Sequence, residues 1–255
     1  MTGIKTKRSL SAIQANKAER ILVGSASDSG PYVWGGFDAM RILPRKYNSE
    51  PEKASRPMSA TASGFVPGSG AGALVVESLD SAICRGARIY GEILGGFVNS
   101  GGHRSGGSMT SPNSTAVQRC IRQAVHSAGI KAESIDVING HLTATSKDAV
   151  EIQNWSAALG LKGADFPFIN AFKGHMGHCL AASGSLESIG AILQFRDQQI
   201  FANVNCEDLH PEISKIITSE KVPIHSLPYS PKIIAKASFG FGDVNACIIF
   251  SDYNA

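Results

Sequence analysis

The sequence predicts an α/β fold built in layers, and two observations support this prediction. Short apolar runs, for example residues 21–24 and 73–76, have the length and composition of buried strands. Between such runs lie segments with helical spacing, as in Val117, Ile121 and Val125. Strands that alternate with helices are typical of domains in which helices cover the faces of a sheet.

The remaining elements are assigned in chain order, helices and strands from apolar periodicity and loops from Pro, Gly, Ser and Asn content. In the first part of the chain, up to residue 94, we predict a helix over residues 9–15, a strand over 21–24, a loop over 47–57, a strand over 73–76, a helix over 79–85 and a strand over 89–94. The second part predicts a long loop over 95–113, helices over 114–128, 150–159 and 181–195, and strands over 135–138, 168–170, 233–238 and 247–251.

The bulk composition narrows the class of protein. The 255 residues suffice for one large domain or two small ones, and 43% hydrophobic with 18% charged residues is an ordinary globular composition. The net charge of +3 comes without a long Lys/Arg run, so it does not indicate nucleic acid binding.

No apolar run reaches the ~18–20 residues of a membrane span. Five scattered cysteines without a CxxC pair or a secretory signal predict reduced thiols in the cytoplasm.

Three segments place polar groups beside glycine at the ends of predicted strands, where ligand sites of α/β sheets lie. The first contains His141, Thr143 and Thr145, which can present an imidazole and two hydroxyls to one cleft. The alternative is a histidine packed at a strand end, with the threonines as ordinary strand residues.

The second segment contains Lys173, His175 and His178 before a helix of small residues. The i to i+3 spacing of the histidines suits a metal, but no third ligand lies nearby in sequence, so we predict no metal site. A helix N-terminus lowers the pKa of a nearby imidazole, which then donates hydrogen bonds as a neutral ring. A histidine helix cap is the alternative interpretation.

The third segment alternates phenylalanine with glycine in Phe239, Gly240, Phe241 and Gly242. Such a turn can present backbone N–H groups as an oxyanion hole. The alternative is a simple hairpin with its phenylalanines in the core.

In this order, His-x-Thr-x-Thr, Lys-x4-His-x5-Gly and Gly-Phe-Gly-x-x-Asn-Ala resemble the condensing enzymes of the thiolase superfamily. The likeness is closest to the elongating β-ketoacyl-(acyl carrier protein) synthases, and residues 51–57 and 64–72 resemble the stretch before that family's internal domain junction. The resemblance implies a thiolase-like αβαβα fold. It implies an incomplete N-terminal half at residues 1–86 and a complete, histidine-bearing C-terminal half at 87–255.

The resemblance also implies an activity, the decarboxylative condensation of malonyl-ACP with an acyl thioester in fatty-acid elongation. It implies that His141 and His178 stabilise the enolate oxygen or activate a water, and that Lys173 supports their geometry. Thr143 and Thr145 correspond to threonines that bind the phosphopantetheine arm, which arrives on the carrier protein, so no cofactor of the chain's own is expected.

Further residues follow from the same resemblance. Phe241 corresponds to a gating phenylalanine whose N–H joins an oxyanion hole, and Phe239 lies behind it. Asp148 and Glu151 resemble a structural acid pair. The expected partners are the acyl carrier protein and malonyl-ACP, together with a second copy of the chain or a complementary N-terminal ketosynthase chain.

The sequence departs from the family in its nucleophile. Counting back from the strand at 21–24, the family's cysteine falls at about Met1 or just before it, and no cysteine precedes Cys84. Cys179 directly follows His178, but the helix direction that suits the histidine turns its neighbour elsewhere. A chain cut or split at this elbow is expected to expose apolar surface. The family pattern also has glycine at the position of Asp243. The aspartate is expected to add negative charge near the cleft.

Three functions remain open. The first is one part of a working condensing enzyme whose cysteine lies on another polypeptide or segment. The second is a non-catalytic partner subunit, like a chain-length factor, which the missing cysteine favours and the retained histidines disfavour. The third is a thiolase-like acyltransferase acting on CoA, against which the His-x-Thr-x-Thr and Gly-Phe-Gly motifs argue.

Overall fold

A mixed sheet forms the centre of the computed structural model, which describes residues 2–28 and 30–253. The helices are α1 (Thr2–Gln14), α2 (Pro31–Ala39), α3 (Leu79–Cys84), α4 (Ser114–Ser127), α5 (Asp148–Leu159), α6 (Lys173–Met176), α7 (Ser183–Asp197) and α8 (Pro211–Ser214). The strands are β1 (Arg20–Ser27), β2 (Gly70–Glu77), β3 (Glu92–Ser100), β4 (Val137–Asn139), β5 (Phe168–Asn170), β6 (Gln199–Ile200), β7 (Leu227–Pro228), β8 (Ile233–Gly240) and β9 (Val244–Ser251).

The central sheet has the strand order β3-β9-β8-β4-β5. Strand β4 runs parallel to β5 and β8, while β9 runs antiparallel to β3 and β8. A separate antiparallel pair is formed by β1 and β2. The ends of β4 and β8 therefore lie side by side, and the segments that follow them can share one site.

Helices and sheets stack in layers. Helix α4 packs against β3 and β9 with α5 beside it, and α1 and α7 lie between the central sheet and the β1–β2 pair. Among the described residues, the order is thus helices, central sheet, helices and small sheet, and the layered α/β prediction is confirmed. Of the apolar stripe predicted on α4, Val117 and Ile121 are fully buried and Val125 is partly buried. Asn113 caps this helix by accepting from Ala116 N–H.

Strand β3 and helix α2 are two of the elements that differ from the sequence prediction. Strand β3 continues to Ser100, where a loop was expected from the glycines. A Cβ on Gly95 would lie 2.5 Å from the backbone nitrogen of Ala128, so this glycine permits close packing of the strand on the end of α4. Helix α2 was not predicted, since none of its residues is buried and its sequence has no apolar stripe.

The outer face of the β1–β2 pair carries exposed apolar side chains. Leu22 is 73% exposed and Val75 is 60% exposed, and Tyr32 on α2 is 95% exposed. The predicted exposure of apolar surface is confirmed at these positions. Within the described residues, no helix combines the length and the apolar character needed to cross a membrane.

Candidate active site

A cavity of about 450 Å³ opens where the segments after β4 and β8 meet. It is lined by most of the residues that the sequence motifs singled out, namely His141, Thr143, Thr145, Asp148, Glu151, His178, Phe239 and Phe241. The other predicted site residue, Lys173, lies buried behind the cavity wall and contacts His141. The position predicted for the missing thiol, about Met1, lies outside the described residues.

The loop that carries His141 is held by the two acids in the first turn of α5. Glu151 accepts hydrogen bonds from the N–H groups of His141 at 2.7 Å and Leu142 at 2.9 Å. Asp148 accepts from the N–H groups of Thr143 at 2.8 Å and Ala144 at 3.0 Å. The two acids thus fix the backbone that presents the histidine and threonine side chains, and the Thr143 and Thr145 hydroxyls lie 3.0 Å apart on the cavity wall.

Burial governs the ionisation of both acids. It raises the pKa of Glu151 to about 7, against the opposing effect of the N–H groups of Leu142 and His141. Burial also raises the pKa of Asp148, which four backbone N–H groups oppose. Of the two carboxyl groups that hold the histidine loop, that of Glu151 therefore titrates near neutral pH.

The ring of His178 is oriented by the backbone before α7. Leu180 N–H donates to its Nδ1 at 3.1 Å, and Ser183 Oγ lies 3.1 Å from the same nitrogen. Because Nδ1 accepts a hydrogen bond, the neutral ring carries its proton on Nε2. Burial, followed by the charge of Lys173, lowers the pKa of His178 to about 3. The ring is therefore neutral at physiological pH and has Nε2–H left as a donor.

His141 is oriented in the same sense by Lys173. The lysine Nζ donates to the His141 carbonyl at 2.6 Å and lies 3.4 Å from its Nδ1. An ammonium group has only donors, so Nδ1 is the acceptor and Nε2 carries the proton. Burial, followed by the charge of Lys173, holds the pKa of His141 well below its ordinary value. The two rings are 5.5 Å apart at 83°, so two neutral N–H donors line one cavity.

Lys173 also belongs to a buried ion cluster that the sequence patterns did not predict. Glu187 on α7 pairs through one oxygen with Lys173 and through the other with Lys236 on β8, at 2.6 Å. Burial opposes the ionisation of Glu187, but the two lysines outweigh it and lower its pKa. The sequence signal for the cluster was a lone charge in an apolar strand, Lys236 between Ala235 and Ala237.

Aromatic rings surround the histidines. Phe65 lies 5.1 Å from the His178 ring, and Phe239 lies 6.5 Å from the His141 ring. Phe37 contacts Phe65 at 4.9 Å and stacks on Phe241 at 6.0 Å. Phe241 lies in the turn between β8 and β9, is 43% exposed and lines the cavity. Phe37 lies in no recognised motif, and Phe65 lies in the family-like segment 64–72 but was not predicted to be a site residue.

The carboxylate of Asp243 faces a neighbouring loop and not the cavity. It accepts hydrogen bonds from His103 N–H at 3.1 Å and Asn113 N–H at 2.8 Å, and it is fully buried. A Cβ on Gly101 would lie 1.9 Å from its Oδ2, so this close approach requires glycine. Asp243 thus ties the turn that carries Phe241 to the segment 101–113, part of which lines the cavity.

Replacing Asp243 with Asn is expected to lower the free energy of unfolding by about 1–3 kcal/mol, because the new amide can accept only one of the two buried N–H groups. Hydrogen exchange of residues 101–113 and 240–243 should accelerate together, and mass spectrometry of the peptides measures it. Asp165→Asn, at an exposed position, is the control. Unchanged exchange in either segment would contradict the coupling.

None of the five cysteines lines the cavity in the described residues. Cys179 is buried with its Sγ 3.5 Å from the carbonyls of Ser69 and Met176, and burial raises its pKa. It is turned away from His178, as the helix direction predicted. Cys84 is exposed on α3.

Comparisons with known proteins identify the family. The model of the β-ketoacyl synthase N-terminal domain matches residues 6–82, and that of the β-ketoacyl synthase C-terminal domain matches residues 90–207. The chloroplastic 3-oxoacyl-(acyl-carrier-protein) synthase I of Arabidopsis thaliana is 35% identical over 254 residues, which cover 94% of this chain and 50% of that protein.

Two solved structures show the same architecture. The ishigamide ketosynthase/chain length factor is 27% identical with a TM-score of 0.86, covering 97% of this chain and 57% of that one. A type II polyketide synthase acyl-carrier protein in complex with its ketosynthase gives 25% identity and a TM-score of 0.87, covering 98% and 60%.

The chain belongs to the β-ketoacyl synthase family and has its thiolase-like fold. It spans about half the length of the curated relatives that it matches. The boundary predicted between residues 86 and 87, and the roles predicted for the individual site residues, stay predictions.

Proposed function

We propose that this chain supplies the decarboxylating part of a β-ketoacyl-(acyl carrier protein) synthase that elongates fatty acids. One observation carries the proposal. Two neutral histidine rings, each with its Nδ1 engaged by the protein, lie 5.5 Å apart on one cavity wall. Relatives named 3-oxoacyl-(acyl-carrier-protein) synthase support the reaction class. The acyl-carrying thiol comes from a separate segment or polypeptide.

The chemistry follows from the protonation of the rings. When a malonyl thioester loses carbon dioxide, the electrons of the broken C–C bond form an enolate, and its thioester oxygen becomes negative. The Nε2–H groups of His141 and His178 donate to this oxygen and stabilise it without giving up their protons. The enolate carbon then attacks the carbonyl carbon of the acyl thioester, forming the new C–C bond as the C–S bond breaks and the thiolate leaves.

The thioester reaches the histidines on its phosphopantetheine arm. Thr143 and Thr145 present neighbouring hydroxyls on the cavity wall, which suit the amide groups of this arm. The polyketide neighbour in which a ketosynthase binds its acyl-carrier protein supports a carrier protein as the partner that delivers it. A second copy of the chain or a complementary ketosynthase chain completes the proposed assembly.

The proposal is tested by decarboxylation of malonyl-ACP, followed by mass spectrometry of the acetyl-ACP product. His178→Asn keeps an acceptor for Leu180 N–H but removes the Nε2–H donor. The rate is expected to fall about 10²-fold or more, as for the loss of one oxyanion donor. His141→Asn should have a similar effect.

His175→Asn is the matched control, because this neighbouring histidine is exposed and packs on Phe172 outside the cavity. Its rate should stay at the wild-type value. A His178→Asn protein that decarboxylates at the wild-type rate would refute the proposal.

A second candidate, a non-catalytic partner like a chain-length factor, is favoured by the lack of a cysteine among the described residues that line the cavity. The neighbour titled as a ketosynthase/chain length factor also supports it. On this hypothesis the chain binds a ketosynthase and alters its product length, and His178→Asn leaves that effect intact.

A further inference from the structure

Lys236 is a buried lysine on β8. It pairs with Oε2 of Glu187, whereas Lys173 pairs with Oε1 of the same carboxylate. Its Nζ lies 2.6 Å from Glu187 Oε2 and 2.8 Å from Ser238 Oγ, and it also donates to the Ala237 carbonyl. Its side chain is 1% exposed. Burying an ammonium group costs free energy unless it is paired, and this carboxylate already has a partner. A second lysine here therefore needs an explanation other than stability.

The cluster has two positive charges and one negative charge, so it carries a surplus of one positive charge. Lys173 connects it to His141, at the carbonyl and at Nδ1. The surplus therefore lies directly behind the histidine pair. Within residues 2–28 and 30–253, the acids beside the histidine loop are Glu151 and Asp148 from α5, which are engaged by backbone N–H groups of that loop.

We propose that Lys236 is a positioning residue for the histidine pair. By holding the second oxygen of Glu187 it fixes this carboxylate on Lys173, and it leaves the cluster with surplus positive charge. The surplus disfavours a further positive charge on either ring, so both stay neutral Nε2–H donors as negative charge develops in the cavity. The catalytic benefit rests on the proposed function, whereas the protonation of the rings can be measured without substrate.

The experiment follows the ring nitrogens of His141 and His178 by ¹⁵N–¹H correlation in the full chain as the pH is lowered. Both rings should show the Nε2–H tautomer in the wild-type protein. In Lys236→Met, which has a side chain of similar length, the ring midpoints should move to higher pH. A shift of roughly one unit is expected for loss of a unit charge at several ångströms in a medium of effective dielectric constant about 20.

Two variants separate charge from packing. Lys236→Arg keeps the charge and should titrate like the wild-type protein. The double variant Lys236→Met/Glu187→Gln removes one charge of each sign, so the surplus is again one positive charge, and the midpoints should return to the wild-type values. If Lys236→Met does not fold, Glu187→Gln is compared with the double variant: it carries one more positive charge, so its ring midpoints should lie at lower pH, and equal midpoints would overturn the proposal.

The proposal is overturned if folded Lys236→Met titrates like the wild type, or if Lys236→Arg or the double variant departs from it. These outcomes are distinct from a failure of the proposed function. If malonyl-ACP is not decarboxylated while the Lys236→Met midpoints shift as expected, the charge coupling stands and only its catalytic role is lost.

Discussion

Glu187→Gln is expected to destabilise the chain by about 3–5 kcal/mol, the largest effect of any single substitution in the buried ion cluster. The carboxylate is fully buried between the ammonium groups of Lys173 and Lys236. Its removal leaves two buried positive charges without a counter-charge, and burial alone already disfavours the charged form of Lys236 by lowering its pKa. Urea unfolding at neutral pH measures the loss.

Glu207→Gln provides a matched control, because Glu207 also pairs with a buried cation, Arg56, but is 65% exposed. This pair lies at 3.3 Å, and Arg56 keeps a second partner in Asp208 at 2.9 Å. The control should cost less than about 1 kcal/mol. Equal losses from the two substitutions would contradict the role assigned to burial.

The double variant Lys236→Met/Glu187→Gln tests the same explanation by removing one of the two unpaired positive charges. If the loss in the single variant comes from unpaired buried charge, removing one of the two ammonium groups should restore part of the stability. The double variant is therefore expected to be more stable than Glu187→Gln alone. A further loss would show that packing, and not charge, dominates the cluster.

The sequence predicted the members of the site better than the interactions that tune it. His141, His178 and the two threonines lie on one cavity because each follows a strand or precedes a helix in motifs with fixed spacing. Lys236 and Glu187 escaped prediction, since their pairing depends on how α7 packs against β8 and no local pattern encodes this contact. Sequence periodicity describes which residues share a face of an element, but not which faces meet.

Glycine and aspartate were the residues most open to misinterpretation. Gly95 and Gly96 indicated a loop by composition, although they lie inside β3, where the end of α4 approaches Gly95 closely and strand β9 approaches Gly96. Asp243 was expected to add charge beside the cleft, but its carboxylate is engaged by two backbone N–H groups of another loop. In both cases the relevant partner lies far along the chain, so only the tertiary structure explains the residue.

Acid is expected to destabilise the chain through His178, whose pKa of about 3 in the folded state lies well below the ordinary 6.5. The unfolded chain binds a proton at this ring below pH 6.5 and the folded chain does not, so stability falls as the pH drops from 6.5 towards 3. Between pH 7 and pH 5 the ring should cost about 2 kcal/mol. The opposite contribution of Glu151, whose folded-state pKa is raised to about 7, accompanies it in every variant that keeps that acid.

The contribution of His178 is isolated by comparison with His178→Asn, since the other titrating groups are common to both proteins. The free energy of unfolding, measured in urea at pH 7, 6 and 5, should fall about 2 kcal/mol further in the wild type than in the variant. His225→Asn, which removes an exposed histidine, tests whether the loss of any histidine gives the same result. Parallel pH profiles for the wild type and His178→Asn would mean that the folded chain accepts a proton on this ring. The neutral donor required for enolate stabilisation would then be absent in mild acid.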